Sequence, residues 1–321
     1  MGANDGLRSS IHRRHLSKVN DAIESATGSV LDHEVVSRGV DVASPVEPRA
    51  AATLMLLREA CSHGQQNPEL QVLMLRRSRN LVFAGGAHVF PGGAVDPADR
   101  EQAVESFCNS RTDAEASELL GISSGGLGFF VAAIRECFEE AGLLLGITTP
   151  GPLTEDQSES GLTGTRDELV DLTDPEDERR FSQHRRALIA GEVDLIGICR
   201  SEGLTLRVDR LHYFSHWVTP KGSHRRFDTR FFVAAAPLSQ AVSCDGVEMV
   251  SAGWLAPSEA LRSHEAGAMS LMPPTIENLR ALSRFSKVSD VIEHAAGLKE
   301  IPLANPASEW ESAVSERSKV L

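Results

Sequence analysis

The chain has 321 residues, 41% hydrophobic and 24% charged, enough for one large domain with extensions or for two small ones. Its net charge of -13 repels polyanions, which excludes general nucleic-acid binding short of a local basic patch. No run approaches the roughly 18 apolar residues of a membrane span, and five widely spaced cysteines without a CxxC argue against a disulfide framework or structural zinc and for reduced thiols in a cytoplasmic protein.

Residues 1–48 are polar and weakly periodic, a flexible leader with a short helix near Leu16 to Ile23. Basic residues there have no apolar segment behind them, so the leader does not read as a signal peptide. Apolar runs from Ala52 to Leu57 and from Leu70 to Leu75 predict buried strands, with turn composition from Ser62 to Pro68 between them. In NLVFAGGAHVFPGGAVDPADR, residues 80–100, glycines and prolines forbid a long helix, while His88 to Phe90 can form a short strand. A helical piece follows near Ala114 to Leu120, then a glycine cluster over 121–128.

The stretch AAIRECFEEAGLLLG, residues 132–146, predicts a helix. Glu136, Glu139 and Glu140 share one face, and Val131, Ile134, Phe138, Ala141 and Leu145 form the opposite, buried stripe. Gly142 can close the helix in the left-handed conformation. Like charges at i,i+4 repel by a few tenths of a kcal/mol, and Arg135 can pair with only part of them. A hard divalent cation, Mg²⁺ or Mn²⁺, would supply the missing charge; a plain solvated acidic face is the alternative.

Residues 150–180 are turn-rich and then acidic, a predicted insertion leading into a helix from Glu176 to Ala190. Leu206 to Trp217, RRFDTRFFVAAA (225–236) and EMVSAGWLAP read as strands, and helices are expected at Pro257 to His264 and Thr275 to Phe285. The mixed order predicts an α/β or α+β sandwich.

Arg135-Glu136-Cys137-Phe138-Glu139-Glu140-Ala141-Gly142-Leu143 resembles the second half of the Nudix box, G-x5-E-x7-R-E-U-x-E-E-x-G-U, with Cys137 at a bulky apolar place. The first half departs from the pattern. Gly93-x5-Asp99 stands where glycine and glutamate are usual, and 35 residues (100–134) follow instead of 7, an inferred insertion of 28. Aspartate in place of glutamate puts in doubt the contact that ties this loop to the helix. The split box, with LRRS and FAGGAHVFPGG before it and RRFDTRFF after it, resembles the Nudix subgroup of peroxisomal acyl-coenzyme A diphosphatases and their bacterial relatives, over about residues 50–285.

The resemblance implies an α/β fold, a Nudix-type α/β/α sandwich with a mixed sheet and insertions. The domain is expected over 49–285, with insertions at about 100–128 and 150–200, followed by a tail over 286–321. It implies metal-dependent cleavage of a diphosphate linkage in a small-molecule substrate. Coenzyme A or an acyl derivative is the first reading; a dinucleotide, ADP-ribose or nucleotide sugar is the second, and a non-catalytic ligand-sensing module the third. Glu136 and Glu140 would be the main metal ligands, Glu139 would share an ion or orient water, and Arg135 would orient the glutamates. Gly92 and Gly93 would bring backbone against the substrate and offer a carbonyl ligand. The base is left open between a helix glutamate and a loop carboxylate, with Glu248 one candidate against a solvated role.

Cations for the substrate are sought in Arg76 and Arg77, after one strand, and Arg225 and Arg226, before another. Strand alternation sends Arg226, Asp228 and Arg230 to one side and Arg225, Phe227 and Thr229 to the other. Residues 100–128, which separate two halves of one site, are expected beside the cleft as a lid or a substrate-selecting element. A homodimer is compatible with the sequence.

Overall fold

A computed structural model describes residues 46–61, 68–81, 84–148, 169–298, 301 and 303–304. The expected leader helix, the turn from Ser62 to Pro68 except its last residue, and residues 150–168 of the second insertion lie outside the described residues.

In chain order the strands are β1 (Arg49–Ala60), β2 (Glu69–Arg77), β3 (His88–Val89), β4 (Gly92–Ala94), β5 (Gly146–Thr148), β6 (Leu204–Leu206), β7 (His212–Val218), β8 (Phe227–Ala235), β9 (Met249–Leu255) and β10 (Leu303–Ala304). The helices are α1 (Asp113–Leu120), α2 (Leu127–Ala141), α3 (Pro175–Ile189), α4 (Leu195–Glu202), α5 (Pro257–Glu265), α6 (Pro273–Leu282) and α7 (Val288–Gly297).

β1 organises the main sheet. It runs parallel to β8, from Arg49 opposite Phe227 to Leu57 opposite Ala235. Its other edge is divided: Ala51 to Thr53 pair with β4, and Leu57 to Ala60 pair with β2. β2 carries β3 and β9, and β8 carries β7 and then β10. The edge therefore forks near Leu54 to Leu56, and the fork opens the cleft described below.

Alternation along β1 explains its unbroken apolar run. Ala52, Leu54 and Leu56 face one core with Phe130, Ile134 and Phe138 of α2, whereas Met55 and Leu57 face a second core with Leu279 and Leu282 of α6 and Val291 of α7. Both faces are covered, which makes the α/β/α sandwich that the sequence implied. The run read as one strand from Leu206 to Trp217 is interrupted by a 3₁₀ turn at Val208–Arg210. α7 lies beyond the boundary drawn at 285, with Val291 and Ala295 buried in the second core. No helix among the described residues is long and apolar enough to cross a membrane.

Residues 100–128 do not form the expected lid. Among the described residues, none between Arg100 and Phe130 lines the cleft. Val104, Ala116 and Leu120 are instead buried in the core beneath α2. Asp113 accepts hydrogen bonds from the Gly125 and Leu127 amides at 2.9 and 3.0 Å, and Ser117 Oγ accepts one from Gly126 at 2.9 Å. Gly126 runs so close to α1 that a Cβ would lie 2.3 Å from the Ser117 nitrogen. The inserted segment thus fastens the start of α2. Leu120→Ala should open a cavity and cost about 2–5 kcal/mol in urea unfolding while leaving ligand preference unaltered. A changed preference with an unshifted unfolding midpoint would restore the lid reading.

Candidate active site

α2 buries almost its whole circumference, including Arg135, Cys137 and Glu140; of its last seven residues only Glu136 and Glu139 are partly open. Cys137, fully buried, acts as a small apolar residue at its place in the box. Gly142 ends the helix at φ 74, with its amide donating to the Phe138 carbonyl at 3.0 Å.

Arg135 joins the two halves of the split box. Its Nε donates to Asp99 Oδ1 at 3.0 Å, and its Nη2 donates to Asp99 Oδ2 at 3.0 Å and to the Ala94 carbonyl at 2.8 Å. Its Nη1 donates to Glu136 Oε1 at 2.9 Å and Glu139 Oε1 at 3.2 Å. Asp99, 2% exposed, stands in the 3₁₀ turn Pro97–Arg100 and also accepts from the Asp96 amide at 2.8 Å. Aspartate therefore keeps the loop-to-helix link that its substitution for glutamate put in doubt.

β4 supplies the facing wall. The Gly92 amide donates to Glu140 Oε2 at 3.0 Å. A Cβ on Gly92 would meet the Ala52 carbonyl at 2.5 Å, and one on Gly93 would meet the Glu136 carboxylate at 2.5 Å. Any side chain at these two places would push β4 off β1 or off α2. From the other side, Arg185 of α3 donates from Nε and Nη2 to the Glu139 carbonyl at 3.0 and 2.8 Å.

Burial pushes the Glu136 carboxyl up to about 7 despite Arg135, and raises Glu140 well above the ordinary range, with repulsion from Glu136 adding to it. Burial alone would depress Arg135, but the carboxylates of Glu136, Asp99 and Glu139 outweigh it and hold it above its usual value. Ionised together, these carboxyls would place more desolvated negative charge in the site than its own cations match.

Glu136, Glu139, Glu140, Arg135, Arg77, Gly92, Gly93 and Arg225 all line one cleft of about 1000 Å³. Arg76 and Arg226 do not. Arg76 lies opposite His88 of β3, outside the cleft lining. Arg226 is buried and donates to the Thr219 and Val46 carbonyls at 2.9 and 2.7 Å, so it staples the strand ends together. Glu248 lies in the cleft wall with Oε2 3.9 Å from Arg77 Nη2.

Arg49, Trp217 and the α3–α4 connector also line the cleft, and the sequence did not single them out. Arg49 had a readable signal: it begins the alternation that places Arg49, Ala51 and Thr53 on one face of β1. The connector had none, because it reaches the cleft only through tertiary packing.

Among the described residues, no three carboxylate, histidine or cysteine side chains form a closed ligand set for a metal. The donors present still fit Mg²⁺ or Mn²⁺, which commonly takes one or two carboxylates and completes its shell with substrate phosphates and water. Glu136 and Glu139 are the side chains open to the cleft, with Glu140 directly behind them.

Residues 107–282 match the family described as the NUDT19 Nudix domain. The chain belongs to that family. It is 28% identical over 253 residues to the acyl-coenzyme A diphosphatase NUDT19 of Xenopus laevis and 29% identical over 259 residues to that of Homo sapiens. In each case 71% of this chain is matched, and the chain spans 64% of the relative's length. A Nudix hydrolase structure from Alicyclobacillus acidocaldarius aligns with 81% of this chain and 99% of its own, at 22% identity and a TM-score of 0.56, in agreement with the fold.

Asp99→Ala removes the buried carboxylate that Arg135 grips from the loop side. The expected loss is about 3 kcal/mol, read as a lower urea midpoint. An unchanged midpoint would mean that the clamp contributes nothing to stability.

Proposed function

We propose that this protein is a divalent-metal-dependent Nudix hydrolase that cleaves a diphosphate linkage. The preferred substrate is coenzyme A or an acyl derivative, split to a phosphopantetheine product and adenosine 3′,5′-bisphosphate. One observation carries the reading: the crowded face of Glu136, Glu139 and Glu140 opens on the same cleft as Arg77 and Arg225. The names of the curated relatives support the choice of a coenzyme A derivative.

Cleavage of this linkage by water needs charge neutralisation and alignment more than covalent help from the protein. Glu136 and Glu140 would hold the cation, with Glu139 sharing it or orienting water. When bound, the cation supplies charge neutralisation and a more acidic water. Arg135 acts as a positioning residue, because its donors are committed to Asp99, Ala94, Glu136 and Glu139. Arg77 faces Glu140 and Glu248, and its Nε has no acceptor among the described residues, which suits it to a phosphate oxygen. The proton of the attacking water would pass to a helix glutamate or to Glu248, the carboxylate that stands beside Arg77 in the cleft wall. A cytoplasmic setting is supported by Cys137 and Cys199, two buried cysteines outside any disulfide.

The reading is tested with a panel of diphosphates assayed with Mg²⁺ and Mn²⁺, with products identified by mass. Coenzyme A derivatives should give the highest kcat/KM; preference for a dinucleotide, ADP-ribose or a nucleotide sugar would move the assignment to the broader diphosphatases, and no turnover at all would favour a binding module. Glu140→Gln retains an acceptor for the Gly92 amide and should keep the fold. Its activity should fall by more than the roughly 10- to 100-fold typical of groups outside the ligand shell. Mg²⁺ should raise the melting temperature of the wild type more than that of the variant. Near wild-type turnover in Glu140→Gln would sink the metal-ligand assignment.

A further inference from the structure

The cleft has a second wall whose chemistry differs from that of the carboxylate face. It is one face of the sheet. In the parallel pairing of β1 with β8, Arg49, Ala51 and Thr53 stand beside Phe227, Thr229 and Phe231, and Trp217 of β7 stands opposite Thr229. All seven line the cleft. Further along the same face, Met55, Leu57 and Val233 fill the space beneath α5 to α7. The side chains shrink only at Ala51, Thr53 and Thr229. A hollow is left there between aromatic walls, with Met272, Pro274 and Thr275 at the start of α6 lining it as well.

Charge divides along the cleft. Its acidic residues come from α2, from Asp96 and Asp99, from the α3–α4 connector and from the loop before β9. β1, β7 and β8 contribute no acidic side chain to it, because Asp228 turns to the other face and pairs with His216 and Arg230. Arg49 and Arg225 are exposed cleft residues with no ion-pair partner among the described residues. A hollow with aromatic sides and two guanidinium groups without ion-pair partners among the described residues suits a flat heterocycle that carries an anion.

That anion is not the scissile diphosphate, whose charge would be met at the carboxylate end by Arg77 and the cation that the glutamates would hold. The second site calls for a substrate with a further phosphate on its nucleoside. We propose that this wall is the nucleoside subsite: the base lies in the hollow beside Trp217 and Phe227, and a ribose 3′-phosphate sits on Arg49 and Arg225. The assignment rests on the diphosphatase reading for its occupant and specifies which end of the substrate lies where. It also separates Arg225, which does this work, from its sequence neighbour Arg226, which is spent on backbone carbonyls.

Binding tests the subsite without turnover. Adenosine 3′,5′-bisphosphate and adenosine 5′-monophosphate would be titrated calorimetrically into the full chain without added metal. The bisphosphate should bind about ten- to hundred-fold more tightly, as expected for a charge-assisted arginine contact. Arg225→Ala and the double variant Arg49→Ala/Arg225→Ala should collapse that ratio towards one, whereas Glu140→Gln should keep it. Phe227→Leu should weaken both nucleotides about equally. Equal affinity for the two nucleotides in the wild type, or a ratio that survives the double variant, would overturn the proposal.

Parallel kcat/KM values for coenzyme A and dephospho-coenzyme A keep the two readings apart. A wild type that binds the bisphosphate selectively but hydrolyses neither compound refutes the coenzyme A reading and sustains the subsite. Hydrolysis of both with equal kcat/KM, and no selectivity in binding, refutes the subsite and leaves the diphosphatase reading intact.

Discussion

The buried guanidinium of Arg135 is the contact on which the site depends. Its Nε and Nη2 hold Asp99, Nη2 also holds the Ala94 carbonyl, and Nη1 holds Glu136 and Glu139. One side chain therefore fixes β4, the turn after it and the open face of α2 relative to one another. Arginine suits this task because its planar fork presents donors in several fixed directions at once and keeps its charge on burial. The segment between the two halves can then be long, provided that Asp99 returns to the same guanidinium.

Charge on α2 runs against ordinary helix electrostatics. Glu139 and Glu140 lie in the last turn, where the helix dipole is already negative, and that turn has no basic residue of its own. Burial adds a desolvation cost that raises Glu136 and Glu140 together. Compensation comes from outside the helix: Arg185 binds the Glu139 carbonyl, Gly92 donates to Glu140, and Arg77 stands near it. The remaining imbalance faces the cleft, which is where a cation with substrate phosphates would offset it.

The two glycines before Asp99 are set by crowding. Gly92 meets β1 backbone and Gly93 meets the Glu136 carboxylate at distances that leave no room for a Cβ. Because β4 takes the first part of the β1 edge and β2 the last part, the sheet divides between them. The cleft follows from that division, with carboxylates on the α2 side and the aromatic wall of β1, β7 and β8 on the other.

The sequence by itself determined the α2 face, its Gly142 stop, the strand alternation in RRFDTRFF and the sandwich class. These are local periodicities, and a side chain's face follows from 3.6 or 2 residues per repeat without knowledge of its neighbours. It did not decide between Arg225 and Arg226 as ligands or Arg76 and Arg77, since both members of each pair are basic and only the assembled sheet shows which one meets the cleft. Nor could it reveal that Val104, Ala116 and Leu120 of the inserted segment belong to the core, because the surface that covers them, α2, is a separate element. The α3–α4 connector reaches the cleft through helix packing, and β1–β8 pairing sets Arg49 opposite Phe227; both join residues far apart in the sequence. Such contacts are chosen by burial and steric fit over the whole fold, and only the tertiary structure decides them.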